Sequence, residues 1–345
     1  MQFNVPAENL KHVLGLVGKV VAKKGSMPLY ETVEIEAKKG EVVFRAHNGH
    51  HYIQAAVGAM VSEIGDACVN GTAFIGAVGK LDGVIVVEQD ASHLRVESAG
   101  SVYRLGLMNE AFPLAPAVKR KLTSMDDPGA VVRKTAFATG DDENKPYTMA
   151  VYLDGEKGLA VASDTACLAM VPVECEGSHL IPKDALALAS KLGKLDIHEC
   201  ENGWLLFDGG GGVKLYSAKI EGGFPNYGNL IPDSQDVVAT CNREALLGAI
   251  GRAMVVRNSN LDAVKIVVED NQVTVSRKGQ SESFEETLDA DVQGEGSVLL
   301  SGGRMKDYLA VADGDVNVEF NKNLHPSVLR SDGGFLLVLM PIREG

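Results

Sequence analysis

No two cysteines of this chain stand in a CxxC spacing, and the five present, Cys68, Cys167, Cys175, Cys200 and Cys241, are odd in number and far apart. That excludes a dense disulfide framework and a zinc knuckle, so the thiols read as reduced and mostly structural. No run of about 18 apolar residues occurs, so no segment reads as a membrane span. The opening MQFNVPAENLKHVL lacks the basic-then-apolar layout of a secretion signal, and a cytoplasmic location is expected. A phosphate loop is missing too: Gly79-Lys80 is followed by Leu81 where Ser or Thr is needed, and no glycine lies five residues before Gly79. No Ser, His and Asp set announces a nucleophile, and no cofactor, metal or enzymatic activity is expected.

What is present is a globular composition. The 345 residues are 45% apolar and 23% charged, enough for two or three domains with substantial cores. Self-similarity decides between those numbers. The stretch VGKLDGVIVVEQDASHLRVESAGSVYRLGLMNEAFP ends at Phe112-Pro113, and LGKLDIHECENGWLLFDGGGGVKLYSAKIEGGFP ends at Phe224-Pro225. A third copy, VADGDVNVEFNKNLHPSVLRSDGGFLLVLMP, ends at Met340-Pro341. The openings of the first and third units also match, VLGLVGKVV from Val13 with LLGAIGRAM from Leu246. The proline-containing stretches FPLAPAV and IPDSQD read as linkers, giving units 1–117, 118–234 and 235–345.

Within each unit, apolar positions at three and four residue spacing predict helices, as in Leu10, Val13, Leu14, Val17 and Val21, or Leu246, Leu247, Ile250 and Met254. Alternation predicts strands, as in Val264, Ile266, Val268 or Val316, Val318, Phe320. Turn signals at Lys39-Gly40, Asp270-Asn271 and Gly209 to Gly212 separate the strands. Two helices against antiparallel sheet, repeated three times, make the fold class α+β.

A net charge of -13 argues against nucleic-acid binding until its distribution is read. The six predicted helical segments, 7–24, 71–82, 126–139, 182–196, 242–257 and 302–313, hold 15 Lys and Arg against 9 Asp and Glu. The rest of the chain holds 18 against 37. Basic helices facing one concavity would attract a polyanion while the acidic remainder discourages binding elsewhere. Scattered cations without an aromatic stacking platform suit sequence-independent phosphate contact better than base reading.

With three α+β repeats and basic helices in hand, the chain resembles, over its whole length, the bacterial sliding clamp family, the beta subunits of DNA polymerase III. MQFNVPAENLKHVLGLV followed by MPLYETVEIEA is similar to the family's opening strand, helix and turn. LAVASDTACLAMVPVE resembles its ATDGHRLA motif, GGFPNYGNLIP its RFPDYRRVLP motif, and LLVLMPIREG its VVMPMRL carboxyl end. The resemblance implies a head-to-tail homodimer whose six domains close a ring around double-stranded DNA, with helices lining the hole and sheets outside. It implies a processivity factor that tethers a polymerase, is opened by a clamp loader and has no contact with membranes.

It also implies a peptide cleft between the second and third domains. Carried over residue by residue, the cleft comprises Thr165, Ala166, Cys167, Leu168, Pro225, Asn229, Leu230, Leu261, Val338, Leu339, Met340, Pro341, Ile342 and Arg343. Core packing is the competing expectation for Leu230, Leu261, Val338 and Met340. The matching DNA positions are Lys24, Tyr147 and the helix cations Lys19, Lys80, Lys191 and Arg252. Two departures stand out: Thr165-Ala166-Cys167 replaces the family's GHR, and Asn229 replaces an arginine. They point to a divergent or phage-encoded member with different partner motifs.

Three features invite other readings. His47, His50 and His51 suggest a metal, but no carboxylate or cysteine pattern completes the set, and the stretch matches the Asp164 loop of the second repeat as a polar turn. Glu285-Glu286 reads as a solvated strand end. The rival functions are an adaptor or inhibitor that uses the clamp fold without loading onto DNA, and a hydrolase working with a divalent metal near His47.

Overall fold

The structure, a computed structural model, describes residues 1–343 apart from 110, 258–261 and 322–324. Tertiary contacts divide it into two compact units, Met1–Pro128 with Asp184–Lys219, and Gly129–Lys183 with Ile220–Gly345. The expected second repeat, 118–234, is shared between them.

Among the described residues six α-helices occur: α1 (Ala7–Val17), α2 (Gly71–Gly79), α3 (Pro128–Thr135), α4 (Lys183–Ala189), α5 (Arg243–Ala253) and α6 (Gly302–Val311). Each falls inside its predicted segment and is shorter than it. In α1, Leu10, Val13, Leu14 and Val17 are buried as the spacing predicts, but the helix stops before Val21. The amide of Gly18 still bonds back to the Leu14 oxygen, and the chain then turns through Lys19 and Val20. In α5, Leu246, Ala249, Ile250 and Ala253 form the buried stripe, and Met254 caps the end. Burying each such Leu, Ile or Val is worth about 1.5–3 kcal/mol, so these faces fix which side of each helix packs inward.

The first unit holds two antiparallel sheets. One has five strands in the spatial order Met60–Glu63, Gln2–Pro6, Val84–Gln89, His93–Ser98 and Ser101–Gly106. The other has eight, running from Val118–Met125 through Leu195–Cys200, Trp204–Asp208, Val213–Ala218, His51–Gly58, Glu41–His47 and Thr32–Lys38 to Gly65–Asn70. The second unit holds one twelve-stranded sheet in which Cys167–Pro172 pairs with Leu336–Leu339.

Local chemistry explains the turns. Asp270 and Asn271 both adopt positive φ, 49° and 56°, in the hairpin between Ala263–Glu269 and Gln272–Lys278, as a two-residue turn of this hand requires. Gly71 and Gly302 open α2 and α6 under a different constraint. A Cβ on Gly71 would lie 2.9 Å from side-chain carbons of Val21 and Val33, and one on Gly302 would lie 2.4 Å from the Met254 sulfur. Both helices therefore start where backbone meets core. Glu285 and Glu286 lie within the strand Ser283–Gln293, so the expectation of a strand end is corrected: alternation along those 11 residues carries the strand through both of them.

Candidate peptide-binding site

Every described residue of the expected cleft lies in the second unit; Leu261 falls outside the described residues. The site is built on the turn that leads into the strand Cys167–Pro172. Asp164 Oδ1 accepts hydrogen bonds from the Ala166 and Cys167 amides at 2.9 and 2.8 Å. Ser163 Oγ accepts from the Thr165 amide at 3.1 Å and donates to the Cys167 oxygen at 2.7 Å. These four bonds hold Thr165 at φ 79°, a left-handed conformation that costs a β-branched residue about 1–3 kcal/mol. The Ala166 oxygen then accepts from the Met340 amide at 3.2 Å, which attaches the carboxyl-terminal segment to the turn.

Register sets the two faces of the sheet. Leu168 opposes Val338, which opposes Val328, and paired residues project to one side. That side carries a buried cluster of Val161, Leu168, Met170, Tyr227, Val328, Leu336 and Val338, with Tyr152, Leu159, Phe224 and Ile231 packed against it. Cys167, Leu339 and Ser327 form the adjacent row, so their side chains turn to the opposite side. Cys167 and Leu339 thus contribute backbone rather than side chain to this face. Burial, with Asp164 beside it, pushes the Cys167 thiol up to about 12, leaving it neutral and unreactive at physiological pH.

The exposed members of the set flank the cluster along the chain: Leu230 precedes Ile231, which packs against that cluster, and Met340 stands two residues after Val338. Leu230 is 43% and Met340 49% exposed, while Thr165, Ala166, Pro225, Asn229 and Arg343 are exposed and Pro341 and Ile342 half-buried. Core packing accordingly describes Leu168 and Val338 but not Leu230 or Met340. Tyr227 anchors the floor: its hydroxyl donates to Asp154 Oδ2 at 2.6 Å, the Lys157 ammonium lies 4.3 Å above its ring, and the turn Gly228–Leu230 follows it. Phe224 stacks on Tyr152 with ring centroids 5.0 Å apart. An apolar floor with exposed aliphatic and thioether walls suits an apolar peptide side chain.

The expected DNA contacts fall at helix ends. Lys80 caps α2, Lys19 follows the cap of α1, Lys191 lies in the short 3₁₀ turn after α4, and Arg252 is in the last turn of α5. Cations there also complement the helix dipole. Lys19 and Lys191 line one narrow apolar gap in the first unit, with Leu16, Val20, Leu188 and Leu192. Lys24 is exposed, while Tyr147 is half-buried and meets Phe224 edge-on at 5.8 Å. Other helix cations are turned to internal use: Lys11 pairs with Asp82 at 2.9 Å, Lys134 with Asp313 at 2.8 Å, and Arg304 with Asp164.

Models of known protein families give no match to the chain. A beta sliding clamp from Staphylococcus aureus is 26% identical, with the alignment covering 99% of both chains. The sliding clamp of Bacillus subtilis superposes over 100% of both chains with a TM-score of 0.93 at 21% identity. The chain has the sliding clamp fold and is similar in sequence to beta sliding clamps over its whole length. A further sliding clamp, from Bartonella birtlesii and solved bound to griselimycin, matches over 100% of both chains with a TM-score of 0.91 at 22% identity.

The first unit repeats the turn of the second. Asn48 Oδ1 accepts from the His50 and His51 amides at 3.1 and 2.8 Å, Gly49 takes the left-handed position at φ 92°, and the His50 oxygen accepts from the Ala218 amide at 2.9 Å. The histidines therefore belong to a strand–turn–strand, His47 ending one strand, His50 in the turn and His51 opening the next, which fits their match to the Asp164 loop. His47 is ringed by Tyr30, Tyr52 and Trp204, and its Nδ1 and that of His51 are buried without a hydrogen-bond partner among the described residues. Sequence reasoning missed Tyr227, Asp154, Lys157 and Arg304. Tyr227 lay inside the quoted GGFPNYGNLIP motif, but nothing local marks its bond to Asp154.

Proposed function

We propose that this chain is a DNA sliding clamp, a processivity factor that encircles duplex DNA and tethers a replicative polymerase and other partners through the site above. The observation that carries this reading is the full-length match to sliding clamps at a TM-score of 0.93. The exposed Leu230 and Met340, beside Ile231 and Val338 of a buried apolar cluster, support it at the level of the site. The chain acts as a head-to-tail homodimer of three repeated units, 1–117, 118–234 and 235–345, and is placed on DNA by a clamp loader. Its contacts to DNA are to phosphate, through Lys19, Lys24, Lys80, Tyr147, Lys191 and Arg252, and are independent of sequence. Partner segments occupy the face bounded by Thr165, Ala166, Leu168, Pro225, Asn229, Leu230, Val338 and Met340 to Arg343. Retention comes from topology, so no reaction is catalysed. A replication role places the protein in the cytoplasm.

The test is retention on circular duplex DNA after loading, compared with the same DNA linearised, alongside the solution mass across a dilution series. A dimer retained on circles and shed from linear ends supports the reading. Equal behaviour on both DNAs overturns it in favour of an adaptor that binds partner peptides only.

A further inference from the structure

The cation that α6 carries in its first turn is committed to the peptide face. The Arg304 guanidinium reaches Asp164 Oδ2 through Nη2 and the Phe137 oxygen through Nη1. Its backbone is fixed independently, because Ser301 Oγ caps the Arg304 amide at 3.2 Å and itself donates to Asp262 at 2.6 Å. Asp164 is the hinge of the turn: one carboxylate oxygen takes the Ala166 and Cys167 amides, and the other takes Arg304. Without the guanidinium, that carboxylate is free to rotate off the two amides. Thr165 then keeps only the two Ser163 Oγ bonds to hold it left-handed, and the Ala166 oxygen that receives the Met340 amide is less firmly placed.

We propose that Arg304 is a positioning residue for partner binding: through Asp164 it holds Thr165, Ala166 and Met340 in the arrangement that a peptide meets. The inference rests on the peptide-binding reading of this face. It also removes Arg304 from the cations available to DNA. Because Arg304 acts through one carboxylate, Asp164→Asn and Arg304→Ala act on the same turn, and their effects do not add.

The test takes the full-length protein, with hydrogen exchange at individual amides as the first readout and griselimycin as the binding probe. Arg304→Ala should speed exchange at Ala166, Cys167 and Met340 while amides of the first unit keep their protection. It should weaken griselimycin about tenfold, the effect of cutting the competent population to a tenth. Arg304→Ala with Asp164→Asn should bind no worse than the weaker single variant, and Arg304→Lys should recover part of the loss. Arg243→Ala, which removes the hydrogen bond to the Leu309 oxygen near the other end of α6, serves as the control for mere destabilisation and should leave affinity unchanged. Unchanged exchange at the three amides, or losses that add in the double variant, overturns the proposal. Failure of the unmodified protein to bind griselimycin would instead count against the peptide-site reading, and the exchange result would still decide whether Arg304 positions the turn.

Discussion

Arg252 closes a two-pronged ion pair on Glu286, Nε to Oε2 at 2.7 Å and Nη2 to Oε1 at 2.6 Å. The hydrogen bond from Arg252 holds the Glu286 carboxyl below the usual carboxylate range. Both groups are solvent-facing, so the pair adds little to stability, but it cancels the charge of one of the expected DNA contacts. Glu286→Gln should therefore release Arg252 to phosphate. We expect tighter duplex binding and a log-log salt dependence steeper by about 0.9, one counterion, with an unaltered melting temperature. Titrations of labelled duplex across a salt series read this directly. An identical slope in the variant would take Arg252 off the DNA.

Thr165 occupies a position for which it is poorly suited. In the corresponding turn of the first unit the residue is Gly49, at φ 92° against 79° for Thr165. Relief of a left-handed β-branched residue returns about 1–3 kcal/mol, and glycine gives back about 0.5–1 kcal/mol in chain entropy. Thr165→Gly should raise stability by about 1 kcal/mol, seen as a higher denaturant midpoint at unchanged slope. A lower midpoint would mean that the threonine side chain makes compensating contacts.

The likeness of the Asn48 and Asp164 turns was legible in the sequence because both are local. Asn48 and Asp164 cap their turns by the same short-range bonds, and the Phe-Pro pairs mark corresponding ends. Helix existence was legible from the apolar spacing, whereas helix length was not. Lys19 and Lys80 continue the pattern in sequence, but the chain has already turned at Gly18 and at the cap of α2. The face on which each strand residue lies follows from alternation, yet it needs the register: only the opposition of Cys167 to Leu339 shows both turned from the peptide face. The pairs that organise the site were not legible at all. Arg304 and Asp164 stand 140 residues apart, and Tyr227 and Asp154 stand 73 apart, and a single long-range contact leaves no periodicity behind.

His47 and His51 make stability depend on pH. Burial lowers the pKa of both from 6.5, with His50 adding to the effect, while Asp184 works in the opposite sense on His51. Their rings are therefore harder to protonate folded than unfolded. The unfolded chain takes up these protons first, so the stability they confer is complete above about pH 6.5 and declines as pH falls toward the folded-state values. The thermal midpoint should drop between pH 7.5 and pH 5.5, a span on either side of that value. His47→Phe keeps a ring between Tyr30 and Trp204 and removes both the titration and the unpartnered Nδ1. Its midpoint should fall less over the same interval, and an identical fall would assign the titration to other groups.

Leu230 and Met340 carry the affinity of the peptide face if the proposed function is right. Both are about half exposed in the free chain, whereas Leu168, Val338 and Tyr227 are buried, so truncation removes exposed side chain without opening the core. Leu230→Ala with Met340→Ala should cost about 2 kcal/mol of griselimycin binding, roughly thirtyfold in Kd, as expected for central contacts of a small interface. Stability should change by less than about 1 kcal/mol, because each is a surface substitution worth at most about 0.5 kcal/mol. The contrast separates the two roles that an apolar residue can play. Val338→Ala, by comparison, deletes buried methyl groups and should lower the unfolding midpoint before it touches the ligand. If the exposed pair melts the protein, or the probe binds the double variant as it does the unmodified chain, then Leu230 and Met340 are core after all and the peptide face lies elsewhere on the second unit.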